Sequence, residues 1–175
     1  MSSQYGMSLH RKGSYLREQQ RETKHAPRIF CKGPHIRNFE ELCRIVYSPE
    51  DVFPDNTFKP EAISRTDLTT KGWSIQRVKY TERARVNDLI TAYISRKGGR
   101  AFEYLLVFLG SAIRNIKDQD GYQAFFIVDH SHIPEDHGHA VILCAEKHPP
   151  SKIKELRKLL AEAVNNPQDI NSVFP

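Results

Sequence analysis

The sequence of 175 residues contains no run of eighteen or more apolar residues, so no transmembrane helix is expected. Its first twenty residues, MSSQYGMSLHRKGSYLREQQ, lack the apolar stretch that a secretory signal requires. The three cysteines, Cys31, Cys43 and Cys144, are odd in number and far apart, and no CxxC pair occurs, so a disulfide framework is excluded. These absences predict a cytoplasmic protein without a membrane partner.

Signatures of several enzyme classes are also missing. Neither a Walker A sequence nor a G-x-G-x-x-G stretch occurs, which excludes nucleotide binding through those loops. Ser74 is not part of a G-x-S-x-G elbow, so it is not predicted to be a hydrolase nucleophile. There is no internal repeat and no low-complexity tract. The whole sequence contains 39% hydrophobic and 27% charged residues, which is the composition of an ordinary globular domain.

Positive charge is concentrated at the beginning of the chain. Residues 1–37 contain eight Lys or Arg and two Glu, a net charge of +6, so the other 138 residues carry −1. A local basic segment is typical of proteins that contact nucleic acid or an acidic protein partner, although a flexible solubilising tail has the same composition. The residues predicted to contact nucleic acid are Arg11, Lys12, Arg17, Arg21, Lys24 and Arg28.

Beyond this arm the hydrophobic pattern predicts one α+β domain. Residues 42–47, 72–78, 101–110, 122–131 and 139–147 read as strands, because they alternate or are continuously apolar. Two helical stripes follow Thr81 and Ser151, each a candidate N-cap. We therefore expect one mostly antiparallel or mixed sheet of four to five strands with two to three helices. The expected organisation is a basic flexible arm at 1–37, the domain at 38–166 and a loose tail at 167–175.

The most unusual stretch is DHSHIPEDHGHAVILC, residues 129–144. If residues 133–136 form the loop of a hairpin, His132 pairs with His137 and His130 with His139, and all four rings project from one face. Cross-strand spacings of roughly 4.5–5.5 Å would suit zinc or a similar divalent metal. Two other readings stay open: a histidine that acts without metal, and a solvated polar loop, since a shift of one residue would scatter the rings.

Arg44 lies in the middle of an apolar strand, so it is either a surface residue of an edge strand or a buried reader of anions. The segments LCRIVYSPEDVFPDNTFKPEAIS, KGWSIQR and AFFIVDHSHIPEDHGHAVILCAEK resemble a loosely defined group of small uncharacterised bacterial proteins. Their shared pattern is L-x-R, then S-[IV]-x-R, then D followed by H-A-x-[IV], and it covers about residues 40–147. The positions that match are Arg44, Ser74, Arg77, Asp129 and His139.

The resemblance implies a site around His139 rather than a four-histidine metal site, because the other histidines fall in the variable loop and Asp129 is followed by His130 instead of proline. Arg44 and Arg77 would bind a phosphate or carboxylate, Ser74 would add a hydrogen bond, and His139 would transfer a proton.

Three functions thus remain open. The first is an accessory binding protein, possibly part of a multi-gene bacterial system, that engages nucleic acid or an acidic partner through its arm. The second is an enzyme for a phosphorylated or nucleotide-like substrate. The third is a metal protein that uses His130, His132, His137 and His139.

Overall fold

The computed structural model describes residues 36–97, 102–130 and 136–175. They form one antiparallel sheet of six strands with several helices, which confirms the α+β class. The order of the strands across the sheet is β4-β5-β2-β1-β3-β6. The strands are β1 (Glu41–Tyr47), β2 (Trp73–Arg77), β3 (Phe102–Leu109), β4 (Phe125–Asp129), β5 (His139–Cys144) and β6 (Pro167–Gln168).

Of the four helices in the described residues, three connect strands that are not neighbours in the sheet, and the fourth follows β6. They are α1 (Arg83–Lys97), α2 (Gly110–Arg114), α3 (Pro150–Val164) and α4 (Ile170–Val173). Single helical turns occupy Pro60–Ala62, Asp67–Lys71 and Val78–Tyr80. Across the described parts of the chain, we find no helix that has both the length and the apolar character needed to cross a membrane.

Side chains alternate between the two faces of the sheet. We call the side to which Trp73 projects face A and the side to which Ser74 projects face B. Face A carries the main core, in which α3 packs through Leu156, Leu160, Ala161 and Val164. Face B carries a smaller core, where Val86 of α1 packs with Cys43 of β1.

Both long helices begin differently from the prediction. Thr81 lies two residues before α1, and its hydroxyl donates to Gln76 Oε1 at 3.1 Å or to the Arg77 carbonyl at 3.0 Å. In α3 the N-cap is Pro149 and Ser151 lies inside the helix. A proline at the first turn loses no hydrogen bond, because those N–H groups have no partner within the helix.

The apolar stripe that follows Ser151 in the sequence predicts that Ile153, Leu156, Leu159, Leu160 and Val164 face inward, but one of them faces outward. Leu159 is 42% exposed, because it lies about 100° around the helix from the centre of the stripe. The residues of the stripe that are buried are Ile153, Leu156, Leu160 and Val164.

The last nine residues differ from the loose tail expected for 167–175. They contain β6 and α4, and the ring of Phe174 is only 6% exposed. Asp169 caps α4 by accepting a hydrogen bond from the Asn171 N–H at 2.7 Å. The short capped helix brings Phe174 into the core of face B, where it packs with Cys43, Val86 and Leu105.

Candidate functional site

His130 and His139 lie side by side where the β4–β5 hairpin leaves the sheet. The ladder pairs Asp129 with Ala140, and one step further the His130 N–H donates to the His139 carbonyl at 3.0 Å. Their ring centroids are 5.6 Å apart and the rings meet edge to face. This is the register expected from the sequence for these two residues. His132 and the six basic residues assigned to nucleic acid lie outside the described residues.

The metal hypothesis requires at least three ligands close together. Within 36–97, 102–130 and 136–175, no three or more His, Cys, Asp or Glu side chains form a group that could hold a metal ion. His130, His137 and His139 therefore do not make such a site by themselves. A site that includes His132 stays a prediction.

Ser74 marks an opening in the cover of face B. It is exposed although β2 is the third of six strands, and its neighbours Trp73 and Ile75 are each 1% exposed on the opposite face. The Ser74 hydroxyl oxygen lies 3.4 Å from His139 Nε2 on the adjacent strand. A hydroxyl and an imidazole at this distance can share a proton, and they are open to a ligand.

Arg44 contacts the same serine through its main chain. The regular β1–β2 ladder pairs only Leu42 with Arg77 and Cys43 with Gln76. Because Arg77 directs its N–H to β5, where it bonds the Gly138 carbonyl, the alternation of the ladder directs the Ser74 carbonyl to β1. Arg44 Nη1 donates to that carbonyl at 2.6 Å. Arg44 lies on the same side of β1 as Leu42 and Val46, so its guanidinium reaches the Ser74 carbonyl from face A.

The charge of Arg44 is poorly compensated. Its guanidinium lies 5.1 Å from the centre of the Trp73 ring, and desolvation by the surrounding protein lowers its pKa, an effect that Asp51 and Asp67 only partly oppose. Of the carboxylates in the described segments, none forms an ion pair with Arg44. The indole N–H of Trp73 is also buried without a hydrogen-bond partner there. The Arg44 guanidinium, which has no carboxylate partner in these segments, and the Trp73 indole N–H, which has no acceptor there, thus lie close together.

Arg77 has the opposite environment. It is 1% exposed, its Nε donates to Glu40, and its Nη1 donates to Asp129 Oδ2 at 2.7 Å. Its guanidinium also lies 4.3 Å from the centre of the Tyr80 ring. Because Arg77 is three positions from Ser74, its side chain projects from face A. The structure thus brings His139 to the Ser74 hydroxyl on face B and Arg44 to the Ser74 carbonyl from face A, and it places Arg77, also on face A, among carboxylates.

A buried polar network adjoins His139 on face B, and the sequence analysis did not identify it. Asp136 is 3% exposed, and its Oδ2 accepts hydrogen bonds from Gln76 Nε2 at 3.2 Å and from Arg85 Nη2 at 2.9 Å. Thr81 continues the network to Gln76. In the described part of the chain, Asp136 Oδ1 and Arg85 Nε are buried without a partner. An acceptor and a donor are therefore left unmet beside the histidine.

The fold and the site define an α+β protein with a polar opening on one face of an antiparallel sheet. Comparisons of the chain with protein-family models, with curated proteins and with solved structures gave no match.

Proposed function

We propose that the place beside Ser74 where the regular pairing of β1 and β2 ends binds a small ligand that carries a phosphate group, which Arg44 contacts. The observation that supports this most is the position of Arg44, a desolvated guanidinium without a carboxylate ion pair that donates to the carbonyl of the exposed Ser74. The hydroxyl of the same serine lies 3.4 Å from His139. This is the second of the three functions considered from the sequence, without Arg77 as a ligand-binding residue.

The two arginines of the central strands supply the electrostatic argument. Removing a guanidinium from water costs several kcal/mol unless an anion compensates the charge. Arg77 is compensated by Glu40 and Asp129, both within its hydrogen-bonding reach. Arg44 donates to a neutral carbonyl and lies against an aromatic ring, and the charges of Asp51 and Asp67 only partly offset its desolvation. A phosphate bound at Arg44 would supply the missing negative charge and accept up to two parallel hydrogen bonds from the guanidinium.

The remaining groups are divided between the two faces of the sheet. The Trp73 indole N–H lies on face A with Arg44 and is a donor that a phosphate oxygen accepts, whereas the Ser74 hydroxyl projects from face B toward His139. His139 is the group best placed to exchange a proton, since its Nε2 is within reach of the Ser74 hydroxyl. The unmet acceptor on Asp136 and the unmet donor on Arg85 suit a polar group that approaches on face B.

Trp73 provides a direct measurement, because it is the only tryptophan of the chain and lies against Arg44. We would follow its fluorescence while titrating inorganic phosphate, a nucleoside monophosphate and the matching nucleoside. The proposal predicts a saturable change with the phosphorylated compounds, and weaker or no change with the nucleoside.

Variants then locate the site by calorimetry. Arg44→Gln should weaken binding about 10- to 100-fold, which corresponds to the loss of a charged hydrogen bond. Ser74→Ala and His139→Asn should weaken it less. The matched control is Arg65→Gln, which removes one positive charge from an exposed position. Absence of binding in the wild-type protein, or an equal loss in the control, would overturn the proposal.

A further inference from the structure

A second candidate surface lies at the end of the sheet where β1 begins and where β2 and β3 end. It is a groove of about 490 Å³. Its lining includes Arg37, Phe39, Glu41, Lys79, Tyr80 and Leu109. Its volume is within the range of clefts that hold ligands. None of these residues belongs to the site at Ser74, so the inference drawn from them is independent of the proposed function.

The groove presents an aromatic ring to solvent on a fixed support. Phe39 is 72% exposed, at the tip of the turn in which the Glu40 N–H donates to the Arg37 carbonyl at 3.1 Å. Arg114 holds this turn from below through the Asn38 side chain and the Ile36 carbonyl, each at 2.9 Å. A large apolar side chain that is exposed on a turn whose backbone is held by hydrogen bonds is typical of a binding surface.

Gly110 fixes the other side of the same turn. A Cβ atom at this position would lie 2.6 Å from the Arg37 carbonyl oxygen, so only glycine allows the turn to approach the end of β3 this closely. The backbone that carries Phe39 is therefore positioned before any partner arrives, which lowers the entropy cost of binding.

Cations accompany the rings of the groove. The Arg37 guanidinium lies 5.7 Å from the centre of the Phe39 ring, and the Lys79 ammonium lies 5.6 Å from the centre of the Tyr80 ring. Glu40, which also lines the groove, is bonded to the buried Arg77. Arg37 and Lys79 thus outnumber the remaining acid, Glu41, and Arg37 is also the last residue of the segment 1–37, whose net charge is +6.

We propose that this groove binds single-stranded nucleic acid. Bases would stack on Phe39 and Tyr80, and the phosphates would contact Arg37 and Lys79. Aromatic platforms bordered by cations are how proteins bind single strands without reading their sequence, since every base has a flat face. Arg37 of the groove is the last residue of the basic segment for which nucleic-acid contact is predicted from the sequence, so charge and ring geometry point to the same partner.

The test is fluorescence anisotropy with the full chain and labelled oligonucleotides of about 12 residues, one of uridine and one of deoxythymidine. We expect binding of both that weakens as salt is raised. Phe39→Ala should weaken binding about 5- to 100-fold, the effect of losing one stacked base. The matched control is Phe53→Ala, because Phe53 is 43% exposed and has Lys59 at 5.3 Å from its ring centre outside the groove.

A second pair of variants tests the charges. Lys79→Gln should reduce the magnitude of the slope of log K against log salt by about 0.7, the value for one phosphate contact of a single strand. Lys59→Gln should leave the slope as it is. Absence of binding in the wild-type chain, equal losses in Phe39→Ala and Phe53→Ala, or equally tight binding of poly-glutamate would each overturn the proposal, the last by assigning the surface to acidic proteins.

Discussion

Arg77 Nη1 donates to Asp129 Oδ2 at 2.7 Å, which joins β2 to β4 across the intervening strand β5. Glu40, at the start of β1, binds the same guanidinium from the other side. The three charges form a cluster on face A in which the arginine is 1% exposed and the carboxylates are 11% and 12% exposed. This cluster links β2 to β4 and to the residue that precedes β1, at one end of the sheet.

The two arginines should therefore respond differently to replacement by methionine. Arg77→Met removes the guanidinium that pairs with two poorly solvated carboxylates and should lower the free energy of unfolding by about 3–5 kcal/mol. Arg44→Met removes a cation that has no carboxylate ion pair, so we expect a loss of about 1 kcal/mol for the hydrogen bond to Ser74. Urea denaturation of both variants measures this. Equal losses would show that the charge of Arg44 is compensated to the same extent as the charge of Arg77.

Gly138 should not tolerate alanine. A Cβ atom there would lie 1.8 Å from Thr81 Oγ1 and 3.0 Å from Thr81 Cβ. Gly138→Ala should cost about 1–3 kcal/mol through overpacking, and Thr81→Ala should relieve part of the clash. In a double-mutant cycle the combined loss should then be smaller than the sum of the single losses by about 1 kcal/mol. If the losses of stability of the two single variants simply add up in the double variant, the alanine side chain at position 138 and Thr81 do not clash.

The two described cysteines should be unreactive in the folded protein. Burial raises the pKa of Cys43 to about 12 and that of Cys144 to about 11. Only the thiolate reacts with alkylating reagents, so at pH 8 both should be modified slowly until the protein is denatured. Mass spectrometry of peptides from iodoacetamide-treated protein distinguishes the sites. Rapid modification of Cys43 before unfolding would contradict its position in the core.

Alkaline stability should depend on Tyr47. Desolvation is the main cause that raises the pKa of its phenol from 10.0 to about 12, and its ring stacks on Tyr93 with centroids 3.5 Å apart. A proton held more tightly in the folded state contributes stability that is complete below pH 10 and is lost as the pH rises toward 12. Tyr47→Phe should therefore lose less stability between pH 9 and pH 11 than the wild type. Parallel declines of Tm in the two proteins would contradict this.

The sequence predicts the elements of this fold well, because most of its strands and helices have a clear period. The alternation of Trp73, Ser74, Ile75 and Gln76 predicts β2 and its two faces, and the apolar run before Pro49 predicts β1. By contrast, β6 has only two residues, and its pairing depends on β3, which lies more than fifty residues earlier in the chain. No local pattern contains that information.

The candidate site could be predicted only in part, for a related reason. The contact of Ser74 with His139 follows from neighbouring strands. Arg77 is paired with carboxylates that come from two distant segments, so its role depends on the order of the strands. The Asp136 network was missed because Asp136 looks like a solvated loop residue, and it is buried only when Arg85 and Gln76 approach it.

The end of the chain has a protective consequence. β3 is strongly apolar, and without β6 it would be the outermost strand of the sheet, with open hydrogen-bonding groups along one side. Gln168 and Pro167 cover Leu105 and Leu106, and Asn166 bonds both the N–H and the carbonyl of Val107 at 3.0 Å. Proline is suited to an outermost strand, because it offers no N–H donor to a strand of another chain. By covering β3, β6 thus prevents this apolar strand from pairing with strands of other chains and aggregating.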